Sequence, residues 1–126
     1  MKNSSDSFII ERIRSIKFSF QGIWFLITTE NSIKAQLCIT ILVTIAGFYF
    51  DINSVEWLIQ TLVIGLVLVA ESLNTAIEKL ADFIHKDYHE KIGFIKDVSA
   101  GASGIASIIS LIIANIIYLP KIMALF

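Results

Sequence analysis

Glu71, Asn74, Glu78 and Asp82 are the residues in this chain whose types and spacing could do chemistry. They fall in one stretch, Ala70 to Asp97, reading AESLNTAIEKLADFIHKDYHEKIGFIKD, with an apolar run on either side. At about 100° per residue in a helix, Glu78 lies roughly 20° from Glu71, Asn74 about 60° away and Asp82 about 20° away. The four polar groups share one narrow face. Glu71 and Glu78 are about 10 Å apart along the axis at ~1.5 Å rise per residue. Carboxylates placed this way have two uses. One coordinates a hard divalent cation through oxygen, and another accepts a proton. Mg²⁺ is usually held by one or two carboxylates plus substrate phosphates. Glu78 would meet that need with Glu30, provided the turn around Glu30 folds near the helix carrying Glu78. Glu71 lies deeper, beside the apolar run, where an acid is a functional-site hypothesis by default. Lys96 could neutralise phosphate charge. No Walker A pattern, kinase glycine-rich loop or dinucleotide fingerprint is present, so a nucleotide site here is of another kind.

Each residue also has an ordinary role. Glu71 could hydrogen-bond a neighbouring helix, and Asn74 could be interhelical glue. Asp82 and Lys86, at i and i+4, read as a solvated ion pair. Tyr88 and His89 are common turn or interfacial residues. The constellation carries more weight than its members, because the acids gather with Lys96 and Asp97.

The elements that must position these groups are helices. Residues 8–29 carry Phe8, Ile9, Ile13, Ile16, Phe20, Ile23, Trp24 and Ile27 at helical spacing, with Arg12, Arg14 and Lys17 among them. This pattern predicts an amphipathic helix lying in a membrane interface. Thr28 to Ser32 reads as a turn with Asn31 or Ser32 as N-cap. Apolar helices are expected over 35–50, 57–84 and 98–119, each able to cross a bilayer with its flanks. Asn53 and Glu56 have capping-box spacing. His85 to Gly93 reads as a polar turn. The last helix opens on small residues, Ser99 to Ser107, which permit close helix approach. The fold class is therefore all-α integral membrane, with residues 1–126 as a single domain.

Composition agrees. Of the 126 residues, 56% are hydrophobic, too many for an ordinary soluble domain of this size to bury. The formal net charge of −1 gives no case for nucleic acid. The single cysteine, Cys38, excludes an intrachain disulfide. Lys2, Arg12, Arg14, Lys17 and Lys34 lie N-terminal to the first span. Lys79, Lys86, Lys91 and Lys96 surround the second connection, and the first connection has no basic residue. The positive-inside rule then puts the N-terminus and the site in the cytoplasm.

These residues resemble the prokaryotic diacylglycerol kinase family, small three-span lipid kinases unrelated to soluble kinases. The match rests on Glu71-Ser72-Leu73-Asn74-Thr75-Ala76-Ile77-Glu78, of the form E-x-x-N-[ST]-A-[IL]-E, with Asp87-Tyr88-His89 and Lys96-Asp97 at the family's separations. Ser19-Phe20-Gln21-Gly22 and Glu30 fit as well, and the likeness covers nearly the whole chain. The resemblance implies transfer of the γ-phosphoryl of Mg-ATP to a membrane lipid hydroxyl in a bacterial cytoplasmic (inner) membrane. Diacylglycerol is the expected acceptor, with undecaprenol as the alternative. By resemblance Glu71 would be the general base, Asn74 would position the reacting groups, and Glu30 and Glu78 would hold Mg²⁺. Phe18, Glu30, Glu78, Asp87, Tyr88, His89, Lys96 and Asp97 would line the nucleotide site, with Lys96 countering charge on the transferred group. Ser19, Glu71 and Ala100 would meet the lipid. The family is trimeric with shared sites, so a homotrimer is expected.

The sequence departs from the pattern in places. Glu11 falls where some members have a ligand-contacting arginine, leaving Arg12 or Arg14 for that role. Phe18 replaces a tyrosine near the nucleotide. Phe94 and Ile95 precede Lys96 where some members have a basic or small residue. A different class of reading is a small oligomeric transporter using Glu71 for an ion or proton. It predicts acids along a path across the bilayer, whereas here they cluster at one boundary.

Overall fold

The computed structural model describes residues 7–126, which form four helices and no strand. The polar N-terminal stretch, Lys2 included, lies outside the described residues. Helix α1 spans Phe8–Thr29, α2 Asn31–Tyr49, α3 Ser54–Ile84 and α4 Glu90–Met123. The last three are each long and apolar enough to cross a membrane.

Helix α1 starts at Ser7, whose hydroxyl accepts from the Ile10 N–H at 3.3 Å, and Glu11 sits in the first turn where the helix dipole favours an acid. None of its residues is buried within the chain. The expected turn at 28–32 contracts to one residue. Glu30 alone is extended (φ −97°, ψ 115°), and it ends α1 and begins α2. Its N–H bonds the Leu26 carbonyl at 3.1 Å and its carbonyl accepts from the Lys34 N–H at 3.0 Å. Asn31 and Ser32 are therefore inside α2 rather than its cap. Glu30 gives no side-chain cap bond because its carboxylate faces α3 instead.

The α2–α3 connection is tight. Asp51 takes a left-handed conformation (φ 50°), and the Ile52 N–H bonds the Gly47 carbonyl at 3.1 Å. Asn53 and Glu56 form the expected capping box, with bonds of 2.9 and 3.1 Å. The box starts α3 at Ser54, earlier than the apolar run at 57 suggests. The Trp57 ring lies against Gly47, where a Cβ would come within 2.6 Å of the indole. Ile52, Ile117 and Tyr118 make a small core here, flanked by Phe50 and Trp57. The Tyr118 hydroxyl hydrogen-bonds Gln60 and lies 3.1 Å from the Val43 carbonyl, which also accepts from the Gln60 amide at 3.3 Å. Lys121 pairs with Glu56 at 2.9 Å. One end of the bundle is thus tied across α2, α3 and α4.

At the other end, the expected polar turn over 85–93 shortens to 85–89. The His89 Nδ1 accepts the Lys91 N–H at 3.1 Å, capping α4, and the Gly93 N–H bonds the His89 carbonyl at 2.8 Å. Helix α4 therefore begins at Glu90, eight residues before the expected 98, and continues through Pro120 to Met123. Its longest contact is with α3, along a seam that buries Val67, Thr75, Ala81, Ser99, Ser103 and Ala106. Of the small residues of α4, Ser99, Ser103 and Ala106 are buried, whereas Ala100, Gly101, Ala102 and Gly104 are exposed.

Candidate active site at the α3–α4 boundary

Helix α3 is continuous from Ser54 to Ile84, so Glu71, Asn74, Glu78 and Asp82 do fall on one face. Burial falls along that face. Glu71 and Asn74 are half-buried, whereas Glu78 and Asp82 are exposed. The face therefore runs from the apolar middle of the bundle out to its polar end. The Asn74 Nδ2 donates to Glu78 Oε1 at 3.3 Å, one helical turn on.

Helix α4 supplies the opposite wall. Lys96 pairs with Asp82 across the seam. This corrects the expected Asp82–Lys86 pair. Helix α3 ends at Ile84, so Lys86 lies in the turn and has left the helical face that i,i+4 pairing requires. Asp97 and Ala100 are exposed on α4. In the turn, Tyr88 lies against Gly93, the His85 Nδ1–H donates to the Asp87 carbonyl at 2.6 Å, and the His85 and His89 rings meet at 5.4 Å. Asp87, Tyr88 and His89 thus stand at the end of the seam that carries Lys96.

Glu30 reaches the same end from the α1–α2 break. Its Oε1 lies 3.3 Å from Lys79 Nζ on α3, and Lys79 also stands over the Phe25 ring at 5.3 Å. Phe18 and Ser19 are exposed on α1, and the Ser19 hydroxyl is bonded to the Ser15 carbonyl at 3.0 Å. Among the described residues neither is hydrogen-bonded to α3 or α4.

Below the polar groups, α3 and α4 enclose an open apolar groove of about 630 Å³. Ala70, Leu73, Asn74, Phe94, Val98 and Ser99 are among its walls. Two buried polar atoms there, Asn74 Oδ1 and Ser99 Oγ, have no hydrogen-bond partner. An unpaired buried polar atom is costly, and such exceptions concentrate at functional places. Glu71 directly follows Ala70 of this wall. An apolar groove with polar atoms along it suits a molecule with an alkyl body and a hydroxyl or phosphate head.

The donor chemistry fits magnesium. Glu30 and Glu78 offer carboxylate oxygen, as a hard cation prefers. Among the described residues no three His, Cys, Asp or Glu side chains gather into a cage. An ion held by one or two carboxylates takes the rest of its shell from phosphates and water, so no cage is needed.

Over residues 17–118 the chain matches the prokaryotic diacylglycerol kinase family. The chain belongs to that family. It is therefore a member of a lipid kinase family and, with three apolar helices, a bacterial multi-pass membrane protein. It is similar to an undecaprenol kinase of Bacillus subtilis, 36% identical over 109 residues that cover 86% of this chain and 89% of the relative. It is similar to a diacylglycerol kinase of Synechocystis, 26% identical over 112 residues that cover 88% of this chain and 64% of that protein. A diacylglycerol kinase of Escherichia coli is 27% identical over 100 residues, covering 79% and 82% of the two chains.

Three features of the site escape sequence reasoning. Lys79 could have been noticed as a cation adjoining Glu78, but its pairing with Glu30 spans separate helices. Ser99 reads only as one small residue in a run of them. Lys96 carries no local sign that Asp82 is its partner.

Proposed function

We propose that this chain phosphorylates a membrane lipid alcohol with Mg-ATP, and that the acceptor is undecaprenol. The observation that carries the kinase reading is the graded polar face of α3 meeting Lys96 of α4 above an apolar groove. The greater identity to the undecaprenol kinase, over most of both chains, favours the polyprenol. Diacylglycerol is the second reading, supported by the similarity to two diacylglycerol kinases. Both lipids present a hydroxyl at the interface, and one base serves both.

In this reading the groove takes the alkyl chain and brings the hydroxyl level with Glu71. Glu71 accepts the hydroxyl proton as the oxygen attacks the γ-phosphorus. The bond from that phosphorus to the β,γ-bridging oxygen breaks, and ADP leaves with the electron pair. Asn74 holds Glu78 in place through its amide. Glu30 and Glu78 would hold magnesium, which would supply positive charge to offset that of the phosphates. Lys96 moves from Asp82 to the transferred phosphoryl, while Asp87, Tyr88, His89 and Asp97 hold the nucleotide and Ala100 leaves room for the lipid. Such chemistry is mostly positioning and electrostatics, so a sparse set of groups suffices. The N-terminus and site face the cytoplasm, because the basic residues lie on that side. The working unit is a homotrimer, as the resemblance implies, and the exposed small residues Ala100, Gly101, Ala102 and Gly104 of α4 would let a helix of another subunit approach closely.

The test is phosphate transfer from labelled Mg-ATP in mixed micelles, with undecaprenol and diacylglycerol offered separately. Product is expected with undecaprenol, and Glu71→Gln should reduce it by roughly 10²- to 10⁴-fold, the usual worth of general base catalysis. Product formed only from diacylglycerol would overturn the acceptor. Product undiminished by the mutation would remove Glu71 as base. No product from either lipid by folded protein would overturn the kinase reading.

A further inference from the structure

Lys79 has no part in the chemistry above, yet it occupies one of its ligands. It follows Glu78 in α3, so the two side chains leave the helix about 100° apart. Its Nζ lies 3.3 Å from Glu30 Oε1 and 5.3 Å from the Phe25 ring centroid. The Glu30 side chain is 22% exposed and that of Lys79 is 55% exposed, so the carboxylate is the sheltered partner and the ammonium is the one free to leave. Glu30 uses neither of its carboxylate oxygens to cap α2. The carboxylate suited to a dication thus carries a monovalent cation.

We propose that Lys79 is a placeholder counter-ion, a positioning residue that neutralises Glu30 until a divalent ion displaces it. The inference rests on the reading of Glu30 and Glu78 as the ion-holding pair. An ammonium and a dication repel each other, so both cannot sit against one carboxylate oxygen at little cost. Displacement is feasible because a half-exposed ion pair contributes little. The Phe25 ring gives the displaced ammonium a second resting place through its π face. Helix α1 then stays beside α3 while the carboxylate changes partner. A merely structural anchor makes the opposite prediction, since loosening α1 would misplace Glu30 and weaken ion binding.

The test measures Mn²⁺ binding to the full chain in micelles, without nucleotide, from the electron paramagnetic resonance signal of the free ion. Lys79→Met keeps an unbranched stem and a favourable sulfur contact for Phe25 while removing the charge. It should bind Mn²⁺ about two- to five-fold more tightly than the unmodified chain, the equivalent of one half-exposed ion pair. Lys79→Gln should move the same way, and Lys79→Arg should bind as the unmodified chain does. Binding by the two neutral variants that is unchanged or weaker overturns the placeholder, provided Glu30→Gln and Glu78→Gln each weaken Mn²⁺ binding. Mn²⁺ binding indifferent to Glu30→Gln and Glu78→Gln would instead overturn the ion-site reading, and the inference with it.

Discussion

Tyr118→Phe should destabilise the bundle more than Gln60→Leu, although both break the same hydrogen bond. Gln60 is 6% exposed and Tyr118 9%, so neither can exchange its partner for water. Removing the Tyr118 hydroxyl strands Gln60 Oε1, while the Gln60 amide keeps its 3.3 Å bond to the Val43 carbonyl. A stranded buried acceptor costs about 1–3 kcal/mol in general, and interhelical bonds in a membrane average about 0.6 with a maximum near 1.7. We expect about 1–1.5 kcal/mol, or roughly five- to twelve-fold in the unfolding constant. Gln60→Leu strands nothing. The Tyr118 hydroxyl keeps the Val43 carbonyl at 3.1 Å, and a leucine fills the site with apolar atoms. Its cost should stay below about 0.5 kcal/mol. The double variant removes the stranded acceptor along with its donor, so it should be more stable than Tyr118→Phe alone. The assay is reversible unfolding by sodium dodecyl sulfate in mixed micelles, read as a double-mutant cycle. Equal losses for the two single variants, or additive losses in the double, would refute the reasoning.

Further outcomes follow from single contacts. Gly47→Ala places a Cβ within 2.6 Å of the Trp57 indole and should cost about 1–3 kcal/mol in the same unfolding assay, with Trp57→Phe relieving it. Asn74→Leu removes an unpaired buried oxygen, so stability should hold or rise, while transfer falls by roughly tenfold or more as Glu78 loses its orienting amide. Asp82→Asn should change unfolding by less than about 1 kcal/mol, because the pair with Lys96 is a third or more exposed, yet lower the KM for ATP in the transfer assay, because Lys96 no longer has to leave a carboxylate to reach the phosphate.

The sequence carried the helices well where the signal is local. The capping box at Asn53 and Glu56 needs only residues three apart, and it forms. The shared face of Glu71, Asn74, Glu78 and Asp82 needs only helical period and an unbroken α3. Boundaries were less legible because charged residues within a helix look like turn in a hydropathy reading. Helix α4 thus begins at Glu90, under a His89 cap, while Lys96 and Asp97 interrupt its apolar pattern until 98. Partnerships across helices were not legible at all. Nothing local distinguishes Lys86 from Lys96 as the partner of Asp82, or points Lys79 at Glu30. Those pairings depend on where α3 stops and how α1 folds back, and both are settled by tertiary packing.

The two ends of the bundle are held by different physics, and the difference suits the proposed chemistry. Around the α2–α3 connection, Tyr118, Gln60 and the Val43 carbonyl form a dry network with a packed core beside it. Opening it strands buried atoms, so it resists change. At the α3–α4 turn, Glu30–Lys79, Asn74–Glu78 and Asp82–Lys96 each include an exposed or partly exposed partner. Exposed pairs contribute about 0.2–1 kcal/mol and exchange partners readily. A phosphoryl-transfer site must let carboxylates take up an ion and let a lysine take up a phosphate, then release both. Weak pairs permit that exchange only if the helices stay in register without them. The tie across α2, α3 and α4 at the far end supplies that register, so a substitution that loosens it should disturb the site at a distance although no site residue is replaced.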